Sequence, residues 1–284
     1  MSKRKKRILF ICIALIIIIL LEIWGYWLKN EYYSVDTKKN ISPMRIVFIS
    51  DLHNCTYGGK EQSQIWEAIQ AAEPDIVLFG GDMVDMFGKT ENALTLMKMV
   101  SEKYPCAYAV GNHERMRKDP QAFYDQVAEL GIPQLGGTYT EINVKDTKVR
   151  VYGIVDTIEY GQDATQLENC FDTLDNSCYN ILLNHQPEEI QGIIAYENER
   201  GVGFDMVLSG HTHGGIMPLL NLLVAWHNNG FVRGLYRISD DGSASGQAGR
   251  LYVSPGCGQW AGFPIRFFNA AEISVLVLRR KGPL

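Results

Sequence analysis

Two histidines in the stretch Gly210-His211-Thr212-His213-Gly214 are separated by one residue and follow a short apolar run. If that run is a buried strand, both imidazoles leave its carboxyl end into a glycine-lined turn. Neutral imidazoles are common ligands of transition metals, so the pair forms half of a candidate metal site. An isolated pair with this spacing is weak evidence, because many such pairs are surface residues. The remaining histidines therefore decide the interpretation.

Five of the six histidines follow short apolar runs and stand beside Asp, Asn or Gly. The motifs that contain them or lie between them are Asp51-Leu52-His53, Gly80-Gly81-Asp82-Met83-Val84-Asp85, Gly111-Asn112-His113-Glu114, Asn184-His185 and the opening stretch. Carboxylates, imidazoles and an amide oxygen suit Mn²⁺, Fe²⁺ or Zn²⁺, and the lack of thiolates argues against a closed structural zinc site. Two such ions, about 3.5 to 4 Å apart, need a bridging carboxylate, for which Asp82 is the candidate.

The elements that must position these motifs are short strands alternating with helices. Strands are predicted at Ile46–Ile49, Ile76–Phe79, Ala107–Val110, Ile181–Leu183 and Met206–Leu208, and further ones at Val149–Ile154, Leu251–Val253 and Ile273–Leu278. Helical spacing follows the first three strands. This order is typical of an α/β sheet, and ligands of such sheets gather at the carboxyl edge. The last strand is almost continuously apolar, which predicts a central position.

DxH, GGDxxD, GNHE, a later lone His and GHTH, in that order, resemble the motifs of the calcineurin-like metallophosphoesterase family. The resemblance runs from Arg45 to about residue 278. It is strongest to the membrane-anchored bacterial members, which have a tail similar to Gly256-Cys257-Gly258 followed by Phe263-Pro264-Ile265-Arg266. The fold so implied is a four-layer αββα sandwich of two mixed sheets flanked by helices.

The resemblance also implies roles for individual residues. The first metal ion is expected on Asp51, His53, Asp82 and His213, and the second on Asp82, Asn112, His185 and His211. A hydroxide bridging the ions is implied as the nucleophile. His113 is expected to face the leaving oxygen as a general acid or as a donor to the transition state, and Asp85 to orient His113.

Several residues near the motifs have an ordinary alternative. Glu114 is interpreted as a solvated or structural side chain and His227 as a loop histidine. Cys55 is interpreted as a small buried residue. Arg266 is a candidate ligand of a substrate phosphate, but an arginine in a surface turn is nearly as good an interpretation. Asp85 has an alternative as a helix cap.

The first 28 residues predict a membrane anchor. Five consecutive basic residues, Lys3 to Arg7, precede an uncharged run from Ile8 to Leu21; extended to Leu28, the apolar segment forms a helix of about 31 Å. A cleaved signal peptide is the alternative, but no small-x-small cleavage site follows. The basic cluster predicts a cytoplasmic N-terminus and a catalytic domain on the outer face. Residues 29–43 are then expected to form a linker, and residues 44–284 the phosphoesterase domain.

Composition limits the possible partners. The formal net charge is −5, and beyond residue 30 the chain holds 21 basic and 31 acidic residues, a net of −10. A body with this charge repels nucleic acid at long range, so no nucleic-acid partner is expected. The six cysteines show no CxxC spacing, which supports neither a disulfide framework nor a zinc ribbon.

The sequence thus predicts a membrane-anchored, dinuclear-metal enzyme that hydrolyses phosphomonoester, phosphodiester or pyrophosphate bonds. Some anchored relatives act on lipid-linked sugar phosphates such as UDP-2,3-diacylglucosamine, which makes a lipid or cell-envelope substrate one candidate. The apolar segment Ile216–Trp226 is either a buried helix or a lip that contacts lipid. The main alternative function is a membrane-tethered binding module that keeps the metals without turnover. An amidohydrolase with an HxH motif is a second one, but GNHE has no place in it.

Overall fold

The computed structural model describes residues 2–25, 27–155, 164–215, 230–238, 244–247, 250–258, 266 and 269–281. Its helices are α1 (Lys3–Gly25), α2 (Ser63–Ala71), α3 (Glu91–Ser101), α4 (Asn112–Arg115), α5 (Pro120–Glu129), α6 (Ala164–Asp172) and α7 (Ile190–Arg200). Its strands are β1 (Lys29–Thr37), β2 (Met44–Ile49), β3 (Ile76–Phe79), β4 (Cys106–Ala109), β5 (Gln134–Leu135), β6 (Thr138–Val144), β7 (Thr147–Ile154), β8 (Tyr179–Asn184), β9 (Met206–Ser209), β10 (Gly234–Ile238), β11 (Ala244–Gln247), β12 (Leu251–Val253) and β13 (Glu272–Arg280).

The strands form two mixed sheets. The first sheet has the order β1-β13-β2-β3-β4-β5, and the second has the order β11-β10-β12-β9-β8-β7-β6. β2, β3, β4 and β5 run parallel to one another, and β13 pairs with β2 antiparallel. In the second sheet β7, β8, β9 and β12 are parallel. The predicted α/β architecture of two mixed sheets with helices is confirmed.

Alternation of apolar side chains along the strands separates the layers. In β2, Val47 and Ile49 pack in a core with α2, α3 and α5, whereas Ile46 and Phe48 point to the other face and pack between the two sheets. A third core joins the outer face of the second sheet to α6 and α7. Each sheet is therefore buried on both faces, which explains why its strands are apolar at nearly every position.

The predicted linker at residues 29–43 is wrong for Lys29–Thr37. These nine residues form β1, which pairs in parallel along the whole of β13 from Glu272 to Arg280. The sequence did not indicate a strand, because an edge strand has one face in solvent and here buries only Val35 fully. β13 is confirmed as an interior strand, since β1 covers its outer edge.

The apolar N-terminal segment forms α1, and its described large side chains from Ile8 to Leu20 are about half exposed or more. Among the residues that the structure describes, none of the helices combines the length and the apolar character needed to cross a membrane. The segment Ile216–Trp226 and His227 lie outside the described residues.

Candidate metal centre

The carboxyl ends of β2, β3, β4, β8 and β9 meet at one edge of the two sheets. Asp51 follows β2 by two residues, and its backbone N–H donates to the carbonyl of Gly81, beyond β3. From the second sheet, the N–H of Gly210 donates to the carbonyl of His185. The N–H of His211 then donates to Asp51 Oδ1 at 2.9 Å, which joins the two sheets. The predicted edge is thus where the chemistry-bearing side chains assemble.

The backbone is strained at this edge. Residues with a left-handed φ other than glycine include five of the predicted metal ligands: Asp51 (52°), His53 (48°), Asp82 (53°), His211 (70°) and His213 (50°). Each such residue costs on the order of 1 to 3 kcal/mol and persists only where its surroundings hold it, which is why such residues cluster at functional sites. Left-handed backbone turns successive side chains of one short loop toward the same point.

Close backbone approach at the edge requires two glycines. A Cβ on Gly111 would overlap the carboxylate and backbone nitrogen of Asp82. A Cβ on Gly210 would overlap the carboxylate of Asp51. Glycine is therefore required at both positions, because no larger residue fits between the loops.

One group of side chains brings together Asp51, His53 and His213. Their ligand atoms all lie within 4.8 Å of one another. His213 Nε2 is 3.5 Å from Asp51 Oδ1 and 3.1 Å from His53 Nε2. The Asp51 carboxyl is fully buried, and burial raises its pKa. Burial also lowers the pKa of His213 well below its usual value, with His53 and Arg266 adding to this effect, so its imidazole is neutral and suited to bind a cation.

A second group brings together Asp82, His185 and His211. His185 Nε2 lies 3.1 Å from Asp82 Oδ2, and its Nδ1 lies 2.7 Å from the carbonyl oxygen of Gly80. Burial acts to raise the pKa of Asp82, but His185 and its neighbours outweigh it and hold that pKa low. His211 Nδ1 lies 3.0 Å from the amide oxygen of Asn112. Asp82 also lies near His53, at 4.0 Å, and so stands between the two groups.

His113 and Asp85 lie beside the first group. Asp85 Oδ1 is 3.2 Å from His113 Nδ1 and 2.8 Å from His53 Nδ1. Asp85 thus contacts His53 more closely than His113, which the motif did not indicate. His113 also groups with His53 and Asp82 within 4.8 Å, and its Nε2 is 3.9 Å from Asp82 Oδ2. Its position alone therefore permits metal binding as well as proton transfer.

Glu114 has a structural role. The sequence interpretation had left open whether this side chain is solvated or structural. The side chain is fully buried and accepts hydrogen bonds from the backbone N–H groups of Gly111, Asp82 and Val84 at 2.9 to 3.1 Å. Burial raises its pKa to about 6, although these backbone donors favour the charged form. One carboxylate therefore fixes the loops that carry Asp82 and Asn112. The glutamate inside an otherwise uncharged motif was the available signal.

Arg266 is buried, with 2% of its surface exposed, and its guanidinium is occupied by the backbone. It donates to the carbonyl oxygens of Asn269, Pro255 and Gly256 at 2.7 to 3.2 Å, and also to that of Gly258. Burial lowers its pKa, and backbone carbonyl oxygens take four of its five N–H donors. Arg266 is therefore not an arginine in a surface turn, and its role as a ligand of a substrate phosphate stays a prediction.

Asn269 is a buried residue that the sequence did not single out. Its amide nitrogen donates to the carbonyl oxygen of His213 and, at 3.2 Å, to that of Gly215. Its own oxygen accepts from Arg233 at 3.4 Å, and Arg233 pairs with the buried carboxylate of Glu272 at 3.1 Å. This chain of contacts holds the turn that carries His213. No motif could indicate it, because 56 residues separate Asn269 from His213.

A family model for calcineurin-like phosphoesterases matches residues 44–215, which is more than half of the chain. The chain belongs to the calcineurin-like phosphoesterase family. The predicted family is confirmed, and the matched residues include every predicted site residue except Arg266. Members of this family use divalent metal ions, which agrees with the His and Asp groups at the sheet edge.

Relatives of the metallophosphoesterase family align over most of the chain. A zebrafish (Danio rerio) transmembrane protein with metallophosphoesterase domain is 26% identical over 85% of this chain and 54% of its own length. An uncharacterized metallophosphoesterase of Campylobacter jejuni is 30% identical over 84% of this chain and 60% of its own length. The chain thus spans little more than half the length of these two relatives. An uncharacterized metallophosphoesterase of Aquifex aeolicus is 28% identical over 90% of this chain and 94% of its own length.

Solved structures also resemble this chain. The structure of Haemophilus influenzae NAD nucleotidase aligns with 15% sequence identity and a TM-score of 0.41, covering 73% of this chain and 41% of that one.

Proposed function

We propose that the protein is a dinuclear-metal phosphoesterase that is attached to a membrane. The observation that carries this proposal is the position of Asp82 between two groups of ligands, Asp51 with His53 and His213, and His185 with the half-buried His211. A carboxylate shared by two ligand groups is what a pair of divalent cations requires.

The donor set of this site fits divalent ions. Asp51 Oδ2 and His213 Nδ1 are buried polar atoms without a hydrogen-bond partner. Buried polar atoms of this kind are costly unless something binds them. Oxygen and imidazole ligands without thiolate favour Mn²⁺, Fe²⁺ or Zn²⁺. We propose that Asp51, His53, Asp82 and His213 hold one ion.

The second ion is proposed to lie on Asp82, Asn112, His185 and His211. When bound, the two ions would acidify a water molecule and neutralise charge on the phosphoryl oxygens. One carboxylate oxygen of Asp82 accepts a hydrogen bond from the backbone N–H of His113 at 2.8 Å. Its other oxygen faces His185, so the residue is held in place while it remains available to a cation.

We assign to His113 the donation of a proton to the leaving group. Burial disfavours its charged form, but the hydrogen bond to Asp85 and the charges of Asp82 and Asp85 outweigh this, and its pKa is raised. The raised pKa favours the protonated form of His113, which can give its proton to a leaving alkoxide. Asp85, whose pKa is held at about 2 by His113 and His53 against the opposing effect of burial, stays charged and orients both rings.

Membrane attachment is proposed to occur through α1. Ten large apolar side chains of this helix, all between Ile8 and Leu20, are exposed by 47% to 74%. An apolar surface of this size is costly in water and is stabilised by lipid. The run Lys3 to Arg7 precedes it and has the charge that anionic head groups attract. The bilayer span, the cytoplasmic N-terminus and the outward-facing domain remain predictions from the sequence.

The proposed substrates are phosphate esters, including phosphomonoesters, phosphodiesters and pyrophosphates such as that of UDP-2,3-diacylglucosamine. The alternative is a membrane-tethered module that binds metal without turnover. Retention of His113 and Asp85 in hydrogen-bond reach of each other favours the enzyme, since metal binding alone needs no proton donor.

The full chain in detergent, stripped of metal and then supplied with Mn²⁺, tests the proposal with bis-p-nitrophenyl phosphate and p-nitrophenyl phosphate. We expect hydrolysis that depends on added metal and is lost in Asp82→Ala. The exposed residue Asp146 provides a matched control, because Asp146→Ala removes a carboxylate far from the edge. Tight metal binding without hydrolysis of any phosphate ester would favour the binding module.

A further inference from the structure

The chain enters the domain at the same edge that carries the candidate metal centre. β13 runs antiparallel to β2, and β1 runs parallel to β13. The first residue of β1, Lys29, therefore lies at the edge where β2 ends and Asp51 follows. Since α1 precedes β1 directly, the apolar helix is connected to this edge and not to the opposite one.

A short series of backbone contacts links Lys29 to Asp51. The N–H of Lys29 donates to the carbonyl of Ala271 at 3.1 Å, and the N–H of Glu272 donates to that of Gly256 at 3.2 Å. A Cβ on Gly256 would touch the Cβ of Asp51. The entry point of the chain and a proposed metal ligand are thus separated by one pair of backbone segments.

The connection between α1 and this edge is short and firmly held. Leu28 is 7% exposed and packs in the same core as Leu52, the neighbour of Asp51. Three residues lead from Gly25, the end of α1, to Leu28, and they reach at most about 11 Å when fully extended. A bilayer that holds α1 must therefore lie close to the carboxyl edge.

Exposed apolar side chains occur on the same edge. Outside α1, the described large hydrophobic residues that are exposed are Trp27, Tyr32, Phe87, Met116 and Tyr139. Phe87, 79% exposed, lies on the loop after β3, and Met116 lies on the loop after α4. Arg117 joins these loops by donating to the carbonyl oxygens of Asp85 and Gly88.

The geometry points to a membrane-facing active site. We infer that the carboxyl edge, with Trp27, Phe87 and Met116 on its loops, contacts the bilayer that holds α1, so that the substrate is a phosphate ester borne by a membrane lipid. This inference rests on the proposed phosphoesterase function. Aromatic side chains favour the interface between head groups and acyl chains, and a site held at that level reaches a lipid-borne phosphate without extracting the lipid.

The test compares two esters with the same leaving group, using the full chain in dioleoylphosphatidylcholine vesicles with Mn²⁺. One is methyl p-nitrophenyl phosphate in water, and the other is the p-nitrophenyl phosphodiester of dioleoylglycerol in the bilayer. In both, water oxygen bonds to phosphorus and the bond to p-nitrophenolate breaks, so one absorbance reports both rates. The measured quantity is the ratio of lipid-borne to soluble turnover.

We expect Phe87→Ser and Met116→Ser each to lower this ratio by about fivefold, because one partly inserted apolar side chain is lost. Tyr32→Ser is the matched control, since Tyr32 is exposed in the middle of β1 and lies away from the edge. An unchanged ratio in both edge variants, or cleavage of the soluble ester alone, overturns the inference and leaves the proposed function standing. Cleavage of neither ester overturns both.

Discussion

The two sheets contribute different chemistry to one edge. The loops of the first sheet supply the carboxylates Asp51, Asp82 and Asp85 together with the imidazoles of His53 and His113, whereas all the proposed ligands on the loops after β8 and β9 are imidazoles. On the first sheet the carboxylates also order the backbone: Asp51 accepts from the N–H of His211, and Asp82 from that of His113. On the second sheet the histidine turn is held from outside, by Asn269.

This difference shows how a site with several acids can fold. Asp82 uses Oδ1 for a backbone donor and presents Oδ2 to His185, whereas Asp51 Oδ1 both accepts from a backbone donor and faces His213. Glu114 uses both oxygens on backbone donors. Backbone donors stabilise the charged carboxylates without occupying the cation site. The imidazole of His213 needs no such stabilisation, because burial lowers its pKa and keeps it neutral.

Removing a carboxylate charge from the first sheet should cause the largest loss of Mn²⁺ affinity. Asp51→Asn preserves the shape of the side chain but removes one negative charge from beside a divalent cation. We expect Mn²⁺ affinity to fall by about a thousandfold or more, since two unit charges about 4 Å apart interact by about 4 kcal/mol at an effective dielectric constant of 20 and the ion carries two charges. His213→Ala, which removes a neutral ligand, should cost less in a metal titration. An equal loss in both variants would break the distinction between the sheets.

His113→Ala separates catalysis from metal binding on the first sheet. We expect turnover of the esters to fall by about a hundredfold or more, as for the loss of a general acid. Metal content, measured by mass spectrometry of the purified protein, should stay the same because His113 is not an assigned ligand. A parallel loss of metal would instead make His113 a ligand, as its distance to Asp82 permits.

Asn269→Ala tests whether the second sheet depends on support from outside. The variant removes the donor that holds the carbonyl oxygens of His213 and Gly215. We expect Mn²⁺ affinity to fall by about tenfold, the scale of lost support behind a ligand. Asn143→Ala on the exposed side of β6 provides the control. Full affinity in Asn269→Ala would show that the turn is held without it.

Asp85→Asn should shift the pH profile by a smaller amount. The raised pKa of His113 depends on the hydrogen bond to Asp85 and on its charge, so the variant lowers that pKa. His113 then loses its proton at a lower pH, and the alkaline limb of the turnover profile should move to lower pH. An alkaline limb that stays in place would remove His113 as the titrating acid.

The strands that carry the motifs were predictable because they are buried on both faces and therefore read as short apolar runs. β1 was not, since an edge strand that buries little beyond Val35 has the composition of a linker. The contacts that Glu114 and Asn269 make could not be predicted from the sequence either. The first depends on which backbone N–H groups come within reach, and the second on a contact across 56 residues.

The sequence by itself determined the family, the α/β class and the set of residues at the strand ends, because local spacing and residue type carry that information. Tertiary structure alone decided that Asp85 contacts His53 more closely than His113, and that Arg266 is occupied by backbone carbonyls. It also decided that α1 joins the edge where the ligands lie. These features depend on distances between segments far apart in the chain, which residue spacing does not encode.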